Sequence, residues 1–283
     1  MGGAIVMKSA VLSLLAETSL HPGVGQVMGT VDLPVAREKS TDYPVIVGSS
    51  LKGSLRDRAE QLWGIDDEKV ERIFGGPDNA GSLLVTDARL LLLPVRSLQG
   101  HYKWVTCPYL LERLQRDLQL AGMTKSFAIP RPENGEAVTG RGQGSLFLEE
   151  LSFRVRTDGD GLSGLIDTLK TFIRHDSLKD RLLERLAIIC DDEFAYFARY
   201  GLAVNARNVL DNETKTSENL WYEETIPPDT LFYALLFARD KKESDLDEVK
   251  GIFLDRPYLQ VGGNETIGQG WCTVNWITDG GEQ

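Results

Sequence analysis

Four polar, glycine-rich segments of this sequence have the composition of loops that hold phosphate groups. They are residues 21–44, 48–53, 140–146 and 262–270. Glycine lets a backbone approach a ligand closely and presents amide donors to phosphate oxygens. The second segment, GSSLKG, also begins a predicted helix, so the positive helix end and Lys52 would attract the same anion. Each segment is therefore a candidate anion-binding loop, with an ordinary turn or helix start as the alternative.

The glycine patterns exclude two nucleotide-binding motifs. The stretch GSSLKGS contains a lysine but lacks the glycine spacing of the ATP-binding phosphate loop. The stretch GGNETIGQG is not followed by the helix that a dinucleotide-binding fingerprint requires. ATP and NAD are therefore not expected as ligands.

Cysteine and histidine usage bounds the compartment and the metal chemistry. The chain has three histidines, which excludes a histidine-rich metal centre, and three scattered cysteines without zinc-binding spacing. We expect those cysteines to be buried free thiols in a reducing cytoplasm. The first residues do not form a secretion signal, and no apolar run approaches the roughly 18 residues of a membrane span. The sequence thus predicts a cytoplasmic protein without a membrane partner.

The charge distribution is uneven along the chain. The net charge of −11 taken alone argues against a nucleic-acid partner, since such proteins usually carry a basic excess. Residues 31–58 nevertheless hold five basic against four acidic residues, a local charge of +1 that leaves −12 for the rest. The basic residues of this segment are Arg37, Lys39, Lys52, Arg56 and Arg58. Because binding depends on the local field, this segment is a candidate surface for an anionic partner.

Hydrophobic periodicity predicts interspersed strands and helices. The predicted strands are residues 8–16, 82–93, 145–156, 230–238, 257–261 and 271–277. The predicted helices are residues 49–63, 108–121, 162–174, 178–190, 192–200 and 243–254. Ser49 or Ser50 is expected to cap the first helix, and Gly64 to end it.

The order of these elements favours an α+β fold. A sheet covered by helices accounts for a pattern that is interspersed but not strictly alternating. No repeat or low-complexity linker divides residues 1–283, so we expect one domain with long inserted loops at about 18–45 and 122–144. Residues 201–222 have little apolar content in their middle and predict a hairpin that protrudes from the body.

Six motifs between residues 21 and 272 occur together in this sequence. They are HPGVGQ, GTVDLPVAREKSTDYPVIVGSSLKGSLR, KWVTCPYLLERL, GQGSLFLEEL, LWYEETIPPDTLFYALL and LQVGGNETIGQGWC. The combination resembles the RAMP superfamily of CRISPR proteins, and within it the repeated backbone subunits of type III-B (Cmr) effector complexes. The resemblance implies a modified RRM-like (ferredoxin-like) palm and a β-hairpin thumb, for which residues 201–222 are the candidate.

The resemblance also implies partners and an activity. Such subunits assemble head-to-tail along a CRISPR RNA, together with other Cmr subunits, and cleave complementary target RNA at regular intervals with a divalent metal ion, Mg or Mn. RNA can attack itself, because its 2′-hydroxyl displaces the leaving oxygen of the neighbouring phosphate. The protein mainly has to hold the in-line geometry and to accept a proton or hold a metal ion.

The resemblance assigns the cut to Asp32, as a general base or as a metal ligand. His21 is the candidate general acid or phosphate contact, and Glu224 a candidate metal or hydrogen-bond partner. Without the resemblance, Asp32 would be explained as a turn or capping residue and His21 as a structural histidine. The predicted RNA-binding residues are Arg37, Lys39, Ser49, Ser50, Lys52, Arg56, Gly142, Gly144, Gly268 and Gly270.

Two alternatives to the RNA-guided nuclease stay open. The first is a non-catalytic subunit that only holds the guide RNA in a filament. The second is a stand-alone nuclease that trims CRISPR RNA precursors and depends on histidine. The tryptophans Trp104, Trp221 and Trp271 are candidates for stacking on bases, although a core or interface position is their more ordinary explanation.

Overall fold

The computed structural model describes residues 8–23, 25, 31–211, 213–214, 216–239 and 243–278. The strands are β1 (Ser9–Ala16), β2 (Val45–Ile46), β3 (Leu83–Val85), β4 (Ala88–Ser97), β5 (His101–Thr106), β6 (Glu136–Thr139), β7 (Ser145–Leu148), β8 (Leu151–Thr157), β9 (Leu186–Ile188), β10 (Ala203–Leu210), β11 (Ser217–Thr225), β12 (Leu231–Ala238), β13 (Tyr258–Gln260) and β14 (Trp271–Ile277). The helices are α1 (Gly48–Trp63), α2 (Glu68–Phe74), α3 (Pro108–Leu120), α4 (Ser163–Lys170), α5 (Asp176–Lys179), α6 (Leu182–Arg185), α7 (Asp191–Tyr200) and α8 (Glu243–Gly251), with a 3₁₀ turn at Glu265–Ile267.

Twelve strands form one large sheet. Ten of them follow the order β13-β14-β1-β12-β4-β5-β9-β6-β8-β7, while β2 joins at β4 and β3 joins at β12. Strand β4 also pairs with β7 through Ser97 and Leu148, so the strands from β4 to β7 curve into a barrel-like core. The fold is therefore mixed α+β, as the order of predicted elements indicated.

Alternate side chains of β1 enter two hydrophobic clusters, because successive residues of a strand point to opposite faces. Leu12 and Leu14 pack in the cluster that contains the apolar residues of α1 and α8. Val11 and Leu15 pack in the cluster that contains leucines of α3 and α4. The central sheet is thus covered by helices on both faces, and its apolar strands are buried throughout.

Helix α1 forms where the sequence predicts it, but its cap is different. Leu51, Leu55 and Ala59 are fully buried at helical spacing. The helix begins at Gly48 and has no side-chain cap of its own, so the expected serine cap is wrong. The carboxylate of Asp87 instead accepts a 2.7 Å hydrogen bond from the Gly48 amide. The cap comes from another segment of the chain, which local sequence does not reveal.

Three other predicted elements are corrected by the sheet. The predicted strand 82–93 is two strands, β3 and β4, interrupted at the Asp87 that caps α1. The predicted strand 145–156 is a hairpin of β7 and β8, which turns at Glu149 with φ of 47°. The loop predicted at 122–144 contains β6, which pairs with both β8 and β9.

The predicted helix 178–190 is also wrong. That segment forms the short helices α5 and α6 and then strand β9. Strand β9 is fully buried and pairs with β5 and β6. A short apolar run fits a helix or a strand equally well from periodicity alone, so its sheet partners decide the outcome.

The predicted hairpin forms a separate two-stranded sheet of β10 and β11. The register runs from Ala203 opposite Thr225 to Leu210 opposite Ser217, with an irregularity near the tip. The outer residues are exposed, whereas Glu223, Glu224 and Thr225 at the base of β11 are buried. Asn212 and Lys215 near the tip lie outside the described residues. No helix in the described part of the chain has the length and apolarity to cross a membrane.

Candidate active site

The loop between β1 and β2, called the active-site loop below, is attached to one edge of β11. Leu33 donates to the carbonyl of Tyr222 and accepts from the amide of Glu224, at 3.1 and 3.0 Å. Leu20 exchanges two backbone hydrogen bonds with Ile226 further along the chain. The other edge of β11 pairs with β10, so this loop completes the hairpin base on its second side.

The carboxylate of Asp32 is held at this edge. Its Oδ2 accepts a 2.8 Å hydrogen bond from the backbone amide of Tyr222. Within the described residues, Oδ1 has no hydrogen-bond partner, and the side chain is half-buried. One carboxylate oxygen is therefore fixed by the backbone, while the other is available to accept a proton or to bind a cation.

The ring of His21 is fixed at the same edge. His21 is 8% exposed, and its Nδ1 lies 2.8 Å from the carbonyl oxygen of Glu224. A carbonyl can only accept, so Nδ1 carries a proton, and Nε2 is the ring nitrogen that this hydrogen bond does not use. A methyl group added to Gly23 would lie 2.7 Å from Nε2, so the glycine leaves room for the ring.

Glu224 and Arg37, both predicted as site residues, form an ion pair behind the loop. Arg37 Nη2 lies 2.6 Å from Glu224 Oε1, and Glu224 Oε2 accepts from the Val35 amide at 3.0 Å. Arg37 Nη1 donates to the carbonyls of Asp42 and Ala198, each at 2.8 Å. The guanidinium of Arg37 already donates to protein oxygens, so the geometry favours a positioning role for Arg37 over the predicted RNA contact. The carboxylate of Glu224 is likewise bound by Arg37 and the Val35 amide, which favours a hydrogen-bonding role.

The C-terminal glycine loop, residues 262–270, supports His21 from the other side. The amide of Gly263 donates to the carbonyl of His21 at 2.9 Å. Gly262 has φ of 83°, and a Cβ there would lie 2.7 Å from that carbonyl oxygen. The side-chain amide of Asn264 donates to the buried carboxylate of Glu223. This loop therefore joins the active-site loop to the hairpin.

The predicted RNA-binding glycines of this loop differ from each other. Gly270 has φ of 91°, and a Cβ there would lie 2.5 Å from the carbonyl oxygen of Val261. Packing of the backbone on itself therefore requires Gly270. Around Gly268, and around Gly142 and Gly144 in the loop at 140–146, the space for a Cβ is open. These three glycines have positive φ.

Lys52 and Arg56 lie on one side of α1 at a cationic cavity of about 650 Å³. Arg239, which the sequence interpretation missed, completes a set of three cations, and no acidic residue of the described part of the chain lines the cavity. Burial lowers the pKa of the Lys52 ammonium, and the nearby Arg239 and Arg56 lower it further. Lys52 Nζ donates to the Leu83 carbonyl at 3.0 Å. Arg56 Nε is paired with Glu60 Oε1 at 2.7 Å, so Lys52 and Arg239 contribute most of the net positive charge that makes this cavity a suitable place for a phosphate.

The remaining predicted RNA contacts are surface residues. Ser49 and Ser50 are exposed in the first turn of α1, and Lys39 is exposed in the loop before it. Trp104 is fully buried, and its Nε1 donates to the carbonyl of Asp229. It therefore occupies a core position, which was the alternative to base stacking. Trp271, in contrast, is 42% exposed.

The few ligand side chains around Asp32 determine which kind of metal ion could bind there. Within the described residues there is no group of three His, Cys, Asp or Glu side chains suited to a metal. Asp32 offers one free carboxylate oxygen, and Glu224 is neutralised by Arg37. This set fits a magnesium-like ion that takes one protein carboxylate and completes its shell with substrate phosphates and water.

The RAMP superfamily model matches residues 13–273, and this chain belongs to that superfamily. It is 37% identical to the CRISPR system Cmr endoribonuclease Cmr4 of Pyrococcus furiosus, over 97% of this chain and 98% of that protein. The Cmr4 subunit of Saccharolobus solfataricus is 26% identical over 93% of this chain and 95% of its own length. The crystal structure of oligomeric Cmr4 from Pyrococcus furiosus superposes with a TM-score of 0.78 and 33% identity, covering 96% of this chain and 100% of that one.

Proposed function

We propose that this chain is a repeated backbone subunit of a type III-B CRISPR ribonucleoprotein that binds CRISPR RNA and cleaves complementary target RNA. The observation that carries this proposal is the fixation of Asp32 and His21 on one edge of β11, at the base of an exposed hairpin. The 37% identity to a Cmr endoribonuclease over nearly the whole chain supports the same activity.

The chemistry is an in-line attack of the RNA on itself. The free oxygen of Asp32 accepts the 2′-hydroxyl proton, and the 2′-oxygen forms a bond to the adjacent phosphorus. The bond from phosphorus to the 5′-oxygen breaks, and protonated His21 supplies a proton to this leaving oxygen from Nε2. The products are a 2′,3′-cyclic phosphate and a 5′-hydroxyl. In the metal-bound alternative, the same oxygen of Asp32 would hold a divalent ion instead, which would stabilise the developing negative charge on the phosphate, and the 2′-proton would pass to water.

A ferredoxin-like palm is supported by the order of the central strands. Strands β14, β1, β12 and β4 are adjacent in that order, and α1 and α8 belong to the same hydrophobic cluster. Along the chain these elements run β1, α1, β4, β12, α8, β14, which is a βαββαβ arrangement. The β10–β11 hairpin is the proposed thumb, because it extends from this palm directly beside Asp32.

The proposed assembly is a head-to-tail filament of this chain along the guide RNA, joined by other Cmr subunits. The relative with a TM-score of 0.78 was solved as an oligomer, which supports self-association. The thumb would then separate guide from target and hold the displaced nucleotide in line for cleavage.

An assembled complex with a defined guide tests the proposal. Target RNA complementary to the guide should be cut at regular intervals, with 2′,3′-cyclic phosphate and 5′-hydroxyl ends, and RNA without complementarity should stay intact. The two alternatives give different results in the same assay. A guide-holding subunit would bind target without cutting it, and a precursor-processing nuclease would cut repeat RNA as the purified chain alone.

A further inference from the structure

A second cavity lies beside α1 and the edge strand β13. Its volume is about 380 Å³, within the roughly 300–1,000 Å³ typical of small-ligand sites. Residues of α1, β13, the glycine loop and the start of β14 form its walls. The predicted site residues are not among its lining.

Two aromatic rings are presented at this cavity. Tyr258 is 41% exposed and Trp271 is 42% exposed, and both line it. Pairs of partly exposed aromatic rings that line one cavity are common at interfaces and ligand sites. Exposed rings on a cavity wall are suited to stacking on a nucleobase, because every base has a flat π-face.

Two arginines line the same cavity without an ion pair in the described part of the chain. They are Arg58 and Arg256, and the Nε of Arg58 is buried without a hydrogen-bond partner. Asp57 and Glu265 are also on the lining but form no ion pair with either arginine. A planar guanidinium binds phosphate oxygens well, and it stacks on aromatic faces.

Backbone hydrogen bonds tie this cavity to the active-site loop. The carbonyl of Trp271 accepts from the amide of Glu17 at 2.8 Å, and the Thr18 hydroxyl accepts from the Trp271 amide at 3.0 Å. Glu265 of the cavity and Gly263, which bonds to His21, lie two residues apart in one loop. The cavity and the backbone of His21 are therefore joined through one loop and the start of β14.

We infer that this cavity holds one unpaired nucleotide of the bound RNA, with its base stacked on Trp271 and Tyr258 and its phosphate on Arg256 and Arg58. The inference rests on the proposed function, because it takes the ligand to be the single-stranded RNA of that function. The pocket adds affinity and holds the strand next to the cleavage site. It performs no chemistry itself.

Binding of a labelled single-stranded oligouridine RNA to the purified full chain tests this inference without depending on cleavage. The parent protein is Asp32→Ala, which leaves the cavity intact. Trp271→Ala should raise the Kd roughly 5- to 100-fold, whereas Trp271→Phe, which keeps an aromatic ring, should stay close to the parent. Arg256→Ala should lower the log–log salt slope by roughly 0.7.

The matched control is Arg174→Ala, because Arg174 is exposed and lies outside the cavity, and its loss changes the net charge equally. Equal effects of Arg256→Ala and Arg174→Ala, together with an unchanged Kd for Trp271→Ala, would overturn the inference and leave the proposed function standing. Failure of the parent to bind RNA at all would overturn both. Loss of self-association with unchanged RNA affinity would assign the surface to a protein partner and overturn the inference.

Discussion

The side chains of Asp32 and His21 are bound to the same edge of β11, at backbone groups two residues apart. Asp32 accepts from the amide of Tyr222, and His21 donates to the carbonyl of Glu224. Residues two apart in a strand are separated by about 7 Å. One strand therefore sets the spacing of the two groups, and a scissile phosphodiester placed between them would meet a proton acceptor and a proton donor.

The ring position of His21 depends on Gly23. In Gly23→Ala the new methyl group would lie 2.7 Å from Nε2, so the ring must move away from the Glu224 carbonyl. We expect target cleavage by the assembled complex to slow about 100-fold or more, with little change in RNA binding. Single-turnover cleavage and binding assays on the same preparation measure both quantities. The control is Gly251→Ala, where the added methyl meets no atom within 4 Å; equal rates for the two variants would contradict the role given to His21.

The Arg37–Glu224 ion pair fixes the loop to the hairpin base. Removing one partner of such a largely buried pair costs roughly 3–5 kcal/mol, because the other charge stays buried without compensation. We therefore expect Glu224→Gln and Arg37→Gln each to lower the Tm and to slow cleavage. The double variant should lose less stability than the sum of the two single losses. Thermal unfolding of the four proteins checks this coupling, and strictly additive losses would show that the pair does not act as a unit.

The contacts of His21 and the Arg37–Glu224 ion pair show which features cannot be predicted from local sequence. The strand β12, the helices α1 and α7, and the exposed hairpin were predicted, since periodicity and exposure are local properties. Arg37 and Glu224 are 187 residues apart, so their ion pair is a property of the fold. The RNA contact predicted for Arg37 from its mildly basic segment stays a prediction, and its guanidinium donates to protein oxygens that local sequence does not reveal.

The segments whose predicted secondary structure was wrong show a second reason why local sequence is insufficient. The segment that ends in β9 is apolar enough for a buried helix, and only pairing with β5 and β6 makes it a strand. The family resemblance supplied the roles of Asp32 and His21, which composition did not. It did not indicate Arg239, because this residue follows β12 and joins the Lys52 cavity only through folding.

Lys52 is expected to affect stability and RNA affinity in opposite directions. Its pKa is lowered in the folded protein, mainly by burial, so the charged lysine disfavours folding at pH values below that pKa. This penalty should disappear as the pH rises from the folded pKa to the usual 10.5. At neutral pH, Lys52→Gln should therefore keep or raise the Tm, yet weaken RNA binding and lower its log–log salt slope by roughly 0.7.

Lys170→Gln provides the comparison for Lys52. It removes the same charge from a partly exposed lysine, paired with Asp167 at 3.6 Å, on α4, which packs on the opposite face of the sheet. Melting curves and RNA titrations over a salt series give both readouts. A lowered Tm with unchanged RNA affinity in Lys52→Gln would contradict the assignment of this cavity to phosphate.

The proposed divalent ion predicts a metal requirement for cleavage but not for binding. Asp32 supplies one protein carboxylate, and RNA phosphates must supply further ligands, so the ion should bind only with the substrate. Chelation by EDTA should stop target cleavage by the assembled complex and leave target binding nearly unchanged. Mg or Mn added back should restore the rate. Full-rate cleavage in EDTA would remove the metal from the mechanism and leave Asp32 as a proton acceptor.

The assignment of the cut to Asp32 is tested most directly by target cleavage in an assembled complex that carries Asp32→Ala. Asp66→Ala, an exposed aspartate in the turn after α1, serves as the matched control. We expect Asp32→Ala to slow cleavage at least about 100-fold while assembly and target binding persist, and Asp66→Ala to cut at the parent rate. Cleavage at the parent rate by a fully assembled Asp32→Ala complex would contradict the assignment of the cut to Asp32.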